Sequence, residues 1–152
     1  MASKNQSELV SNRSASHHYE LLEKFEAGVS LLGTEVKSLR ENQGSLQESY
    51  IKIKGNELWL VGAHIAHYTY GNMQNHEEKR ERKLLMHKNE IMRLKAKVNE
   101  KGLTLVPLSM YLTKGKIKLL IALGKGRKAY DKRQKIKSQE ADRAVRRELR
   151  EI

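Results

Sequence analysis

Thirteen consecutive residues, Lys125 to Lys137 (KGRKAYDKRQKIK), hold seven Lys or Arg against the single Asp131 and supply +6 of the chain's net charge of +12. The segment after them is too poor in apolar residues to build a core of its own. Whatever folds must therefore be made from roughly the first 124 residues. That length accommodates one domain around one hydrophobic core. Dense positive charge beside a coreless segment calls for a polyanion that orders it, and RNA is the first candidate.

Composition narrows the class further. A pI near 9.9, mean hydropathy of −0.72 and 38% hydrophobic residues describe a small domain with excess polar surface. The chain has no Cys, which excludes a disulfide framework, a thiolate zinc site and a catalytic thiol together. The opening stretch MASKNQSELVSNRSAS lacks an apolar signal core, and no run approaches the roughly 20 apolar residues of a membrane span. The expectation is a soluble, unexported protein with no membrane partner, compatible with a reducing cytoplasm.

Residues 1–12 are polar and rich in Ser and Asn, and are expected to form a flexible N-terminal arm. His17 to Phe25 spaces Tyr19, Leu21 and Phe25 as one face of a strand would. Thr34 is the expected N-cap of a short helix, with Glu35 in its first turn, Val36 and Leu39 facing inward, and an end near Gly44. Leu46 to Lys54 and Leu58 to Val61 flank Gly55-Asn56 and read as a hairpin. Gly71 to Lys83 has almost nothing apolar to bury and reads as a flexible loop. Leu84, Leu85, Ile91, Leu94 and Val98 recur at helical spacing until Lys101-Gly102 ends an amphipathic helix. Leu103 to Leu112 and Ile117 to Leu123 form a second hairpin around Lys114-Gly115, with Pro107 marking an edge or a bulge. The expected fold over residues 13–130 is mainly β, a small antiparallel barrel or sandwich with a few short flanking helices, and an OB-like β-barrel would also offer a nucleic-acid surface. A basic C-terminal tail, 131–152, is expected to be disordered in solution.

No catalytic constellation emerges. Gly28 to Thr34 has P-loop glycine spacing but lacks the Lys after Gly33 that would reach phosphates. Gly124-Lys-Gly126 is half a dinucleotide fingerprint with no βαβ unit downstream, and reads as a hinge beside a cationic patch. His64 and His67 have no third metal ligand clustered near them in sequence. His17 and His18 have no nucleophile partner and fit a strand start or a phosphate-facing edge. Trp59, between Leu58 and Leu60, is assigned to the core. Tyr130 interrupts Lys and Arg where nothing can bury it, which suits stacking on a base. In the tail, Ala141, Val145, Leu149 and Ile152 make a narrow helical stripe, with Arg143, Arg146, Arg147 and Arg150 elsewhere. A helix that short is marginal in water, so it would fold on its target. A general RNA-binding or structural ribosomal protein fits the same charge and size, and an RNA-cleaving enzyme fits the charge alone.

Five separated segments, in order, resemble the SmpB (SsrA-binding protein) family. They are FEAGVSLLGTEVKSLR from Phe25 to Arg40, Glu48-Ser-Tyr50, RERKLLMHKNEI from Arg80 to Ile91, Lys101-Gly-Leu-Thr104 with Val106-Pro-Leu108, and KGRKAYDKR from Lys125 to Arg133. The resemblance runs in register from about Asn12 to Arg133.

The resemblance implies a bacterial cytoplasmic RNA-binding protein of trans-translation, with no enzymatic activity and no cofactor or metal. The barrel would bind the tRNA-like domain of transfer-messenger RNA at its elbow, chiefly through the D-loop. Alanyl-tRNA synthetase and elongation factor Tu would then act indirectly, through that RNA. On a stalled ribosome, the tail would take the place of the codon–anticodon helix in the 16S rRNA decoding centre and lie as a helix in the empty mRNA channel. Position by position, the family's RNA contacts match Asn12, Arg13, Glu26, His87 and Lys125, with Arg127 and Lys128 continuing the basic edge. Tyr130, Asp131, Lys132 and Arg133 match its ribosome-facing hinge, and Arg143, Arg146 and Arg147 belong to the tail beyond. A carboxylate such as Glu26 among cations is compatible with RNA, because it accepts from base amino groups or orients a basic neighbour. Ser14 and Ser16 stand where many relatives carry basic residues.

Overall fold

A computed structural model describes residues 6–70 and 75–126. Nine strands and three helices follow one another along these residues. β1 (Gln6–Ser11), α1 (Ala15–His18), β2 (Tyr19–Val29), α2 (Gly33–Arg40) and β3 (Gly44–Ser45) come first. β4 (Tyr50–Lys54), β5 (Glu57–Val61), β6 (His64–Ile65) and β7 (Arg82–Leu85) lead to α3 (Lys88–Lys101), β8 (Thr104–Thr113) and β9 (Lys116–Gly126). Seven strands form one antiparallel sheet in the order β1-β8-β9-β2-β7-β5-β4, while β3 and β6 pair separately.

The fold is mainly antiparallel β with short helices, as expected, but the sheet does not close into a barrel. β4 and β1 end the sheet, and β4 lies against β8 without a hydrogen-bonded ladder between them. Strand β8 has little to offer β4. Its outer edge is taken by β1 from Ser109 to Thr113. The Pro107 and Leu108 carbonyls accept from Asn12 Nδ2 (2.9 Å) and the Asn12 backbone N–H (2.7 Å). Pro107 has no N–H to give and sits at a break in the β8–β9 register. The bulge expected at Pro107 is therefore present, inside a strand paired on both flanks rather than at an edge.

Local chemistry accounts for the elements that sequence located well. The β4–β5 and β8–β9 hairpins turn at Gly55-Asn56 and Lys114-Gly115, with Lys54 opposite Glu57 and Thr113 opposite Lys116. Helix α3 stops where Gly102 adopts φ +61°, a left-handed conformation that costs glycine little. Alternation carries Ile51, Leu58, Leu60, Leu119, Ile121 and their neighbours into one core, which Ile91 and Leu94 of α3 cover. None of the helices among the described residues is long and apolar enough to cross a membrane.

Several expectations are corrected. Gln6–Ser11 is an edge strand on β8, not part of a mobile arm, and residues 1–5 lie outside the described region. His17 and His18 end a one-turn helix rather than begin a strand. Gly124 to Gly126 continues β9 opposite Tyr19 to Leu21, so no hinge breaks the chain there. The helix predicted from Leu84 begins at Lys88, because Leu84 and Leu85 belong to β7.

The expected loop 71–83 changes most. Residues 71–74 are not described, but His76 is 3% exposed and Arg82 is fully buried at the start of β7. Arg82 is held because each of its five N–H donors meets an oxygen. Its Nε donates to Glu35 Oε2 at 2.5 Å, Nη1 to the Ala63 and Arg80 carbonyls, and Nη2 to those of Glu77 and Glu78. The other Glu35 oxygen accepts from Arg80 Nη2 (2.5 Å) and from the Leu32 N–H (2.8 Å). Glu35 thus caps α2 at Leu32, and Thr34, the expected N-cap, instead joins His76 Nδ1 at 2.9 Å. The Ile65 carbonyl lies 2.8 Å from His76 Nε2, which therefore donates to it.

Candidate nucleic-acid interface

Cross-strand pairs point to the same face of a sheet, so the registers define what the outer surface presents. One row runs Ser11, Ser109, Leu120, Glu26 across β1, β8, β9 and β2. Asn12 and Arg13 continue from the β1 end of that row. On the other side of β2, Gly28 pairs with Leu85 of β7. Carrying that register two residues further sets His87, just past the end of β7, across from Glu26. A Cβ on Gly28 would sit 3.2 Å from Leu85 Cβ, so glycine lets β7 approach this closely.

Glu26 and His87 therefore fall together on one face, and Asn12 and Arg13 follow the β1 end of the same row. Arg13, Glu26 and His87 are exposed. Asn12 is half-buried and spends its side chain on Pro107 and on the Ser14 hydroxyl, which donates to Asn12 Oδ1 at 3.1 Å. Asn12 thus fixes the turn that presents Arg13. Lys125 is exposed but stands apart, opposite Glu20 near the far end of β9. Arg127, Lys128, Tyr130, Asp131, Lys132, Arg133, Arg143, Arg146 and Arg147 lie outside the described residues, as does the rest of the tail 131–152.

Glu26 is oriented by a residue that sequence reasoning missed. Tyr111 of β8, 7% exposed, donates its hydroxyl hydrogen bond to Glu26 Oε2 across the intervening strand β9. Burial, then this hydrogen bond, then the Glu26 charge push the phenol well above its ordinary range. Tyr111 therefore remains a neutral donor and leaves the other Glu26 oxygen to accept from a ligand. The only sequence signal for this partnership was a Tyr inside an apolar strand, which needs a place for its hydroxyl.

Trp59 is corrected as well. It is half-buried on the outer face, paired with Lys52 of β4 and Lys83 of β7, whereas Leu58 and Leu60 are fully buried behind it. His64 and His67 share one acid: His64 Nε2 bonds Glu78 Oε2, and His67 Nδ1 lies 3.5 Å from Glu78 Oε1. The His64 hydrogen bond is the main cause holding the Glu78 carboxyl below its usual value. Among the described residues no cluster of three or more His, Asp or Glu is placed to hold a metal ion.

The candidate interface is thus an open sheet face on which His87 and Lys118 stand near one oriented carboxylate, Glu26. Comparison with known proteins gives the chain a family. The family model described as SmpB protein matches residues 9–151. The SsrA-binding protein of Protochlamydia amoebophila (strain UWE25) is 53% identical over 145 residues, covering 95% of each chain. That of Desulforudis audaxviator (strain MP104C) is 50% identical over 150 residues, covering 99% of this chain and 98% of the relative. A chain in the solved structure "tmRNA-SmpB: a journey to the center of the bacterial ribosome" aligns with TM-score 0.69 and 43% identity, over 86% of this chain and 95% of that one. A family model spanning nearly the whole sequence and relatives at half identity or more leave one assignment: the chain belongs to the SmpB protein family.

Proposed function

We propose that this chain binds the tRNA-like domain of transfer-messenger RNA and brings it to stalled bacterial ribosomes for trans-translation. The observation that carries the reading is 53% identity, over 95% of both chains, to a protein named for binding SsrA RNA. The outer sheet face supports it with an oriented acceptor at Glu26, an exposed His87 across from it, and an exposed Arg13 just past the end of β1. Phosphates meet the cations and set affinity, while Glu26 reads base amino groups and sets selectivity. Lys125, Arg127 and Lys128 continue the basic edge toward the tail. The protein performs no bond chemistry itself; alanyl-tRNA synthetase and elongation factor Tu act on the same RNA, and the work is cytoplasmic.

In this reading the two ends of the chain divide the task. The sheet holds the RNA, and residues 131–152 engage the 16S rRNA decoding centre and mRNA channel, where Tyr130 to Arg133 form the hinge and Arg143, Arg146 and Arg147 meet phosphate. Removing residues 134–152 tests the division. Binding to the tRNA-like domain should persist while tagging of nascent chains on stalled ribosomes is lost. Undiminished tagging by the shortened chain would refute the tail's role.

A further inference from the structure

The outer sheet face does not end at β7. Lys83 and Leu85 alternate on the same side of that strand, and the register carries the row Lys83, Trp59, Lys52 across β7, β5 and β4. Strands stand about 4.8 Å apart, so Trp59 lies two strands, roughly 10 Å, beyond β2, which carries Glu26. Leu85, 53% exposed, fills the ground between them, and Tyr50, 54% exposed, flanks Lys52 along β4.

Two features of this patch point to a ligand. Lys52, Lys54 and Lys83 outnumber the two local acids, Glu57, which lies 3.7 Å from Lys83 Nζ, and Glu81, exposed just before β7. The large apolar and aromatic side chains beside them, Tyr50, Trp59 and Leu85, point away from the core. An indole between two lysines matches an unpaired nucleotide: the base stacks on the half-buried ring, and the phosphates on either side meet the ammonium groups.

We propose that Trp59, with Lys52 and Lys83, is a stacking platform for an unpaired nucleotide of the bound RNA, extending the Glu26 face across β7, β5 and β4. The inference rests on the RNA-binding reading above and adds a contact to it. The ligand class is a single-stranded or looped RNA segment; a uniform duplex has no free base to offer the ring.

Trp59 is the only Trp in the chain, so the unmodified protein reports on its own platform. The full chain is titrated with fluorescein-labelled RNA of the tRNA-like domain, following RNA anisotropy, and in parallel with the unlabelled RNA, following Trp59 emission and its quenching by acrylamide. Emission should fall and acrylamide access should drop, both saturating where anisotropy does. Trp59→Leu should weaken binding about tenfold or more, with Trp59→Phe recovering part of it. Lys52→Gln with Lys83→Gln should flatten the dependence of log K on log salt by about 1.4, two single-strand phosphates' worth. Anisotropy that reports binding while emission and acrylamide access stay unchanged overturns the platform and leaves the proposed function standing. No RNA binding by anisotropy overturns both.

Discussion

Arg82 Nε lies 2.5 Å from Glu35 Oε2, and neither side chain has any exposed surface. The pair fastens the start of β7 to helix α2, 47 residues earlier in the chain. A charge taken out of water is tolerable only when its partner and hydrogen bonds are complete, and for Arg82 they are. The pair holds β7 in place, and β7 carries Lys83 and Leu85 and leads to His87 on the outer face. A buried contact behind the sheet thus sets the geometry of the surface in front of it.

Glu35→Gln keeps the shape and removes the charge, leaving Arg82 buried and unpaired. The expected loss is about 3–5 kcal/mol, a fifth or more of the roughly 5–15 kcal/mol total for an ordinary domain. Urea unfolding followed by circular dichroism checks it, and a loss below about 1 kcal/mol would mean that water or another acid reaches Arg82.

The same carboxyl gives the protein an acid limit. Burial alone would raise its pKa, but the Arg80 hydrogen bond, the Leu32 N–H and the Arg82 charge together bring it below 4.5, the value of the free side chain. The unfolded chain therefore binds the proton more readily. Stability from this group is complete above pH 4.5 and is lost as pH falls from there through the lower folded value. Unfolding midpoints between pH 6 and pH 3 should fall more steeply for the parent than for Glu35→Gln; parallel curves would contradict the assignment.

Glu26→Ala makes the protein more basic, yet it should weaken binding to the tRNA-like domain and narrow the preference over bulk tRNA. Tyr111→Phe, which frees Glu26 to swing, should cost a few-fold in the same assay, about 1 kcal/mol, with the fold intact by circular dichroism. Tighter and still selective binding by Glu26→Ala would show that the carboxylate makes no contact.

What sequence revealed and what it hid divide along physical lines. Both hairpins and the end of α3 were legible because Gly55-Asn56, Lys114-Gly115 and Gly102 act locally, through turn and cap geometry. β1 was hidden because its six residues are mostly polar and their partner strand is about a hundred positions away. β7 was hidden because an inward-facing Arg82 looks like any solvated arginine until Glu35 is seen beside it. Trp59 was misassigned although alternation contained the answer: if Leu58 and Leu60 face the core, the residue between them faces out. In the candidate site, composition pointed to RNA but could not select residues; Glu26 came from family resemblance alone, and Tyr111 from neither.

The most direct test of the account is competition binding of the full chain to the tRNA-like domain of transfer-messenger RNA, with bulk tRNA as competitor, as salt is raised. A face that reads RNA through Glu26 as well as through phosphates predicts selective binding that survives about 150 mM salt. Equal loss of both RNAs would contradict it and leave a basic sheet that binds phosphate without choosing.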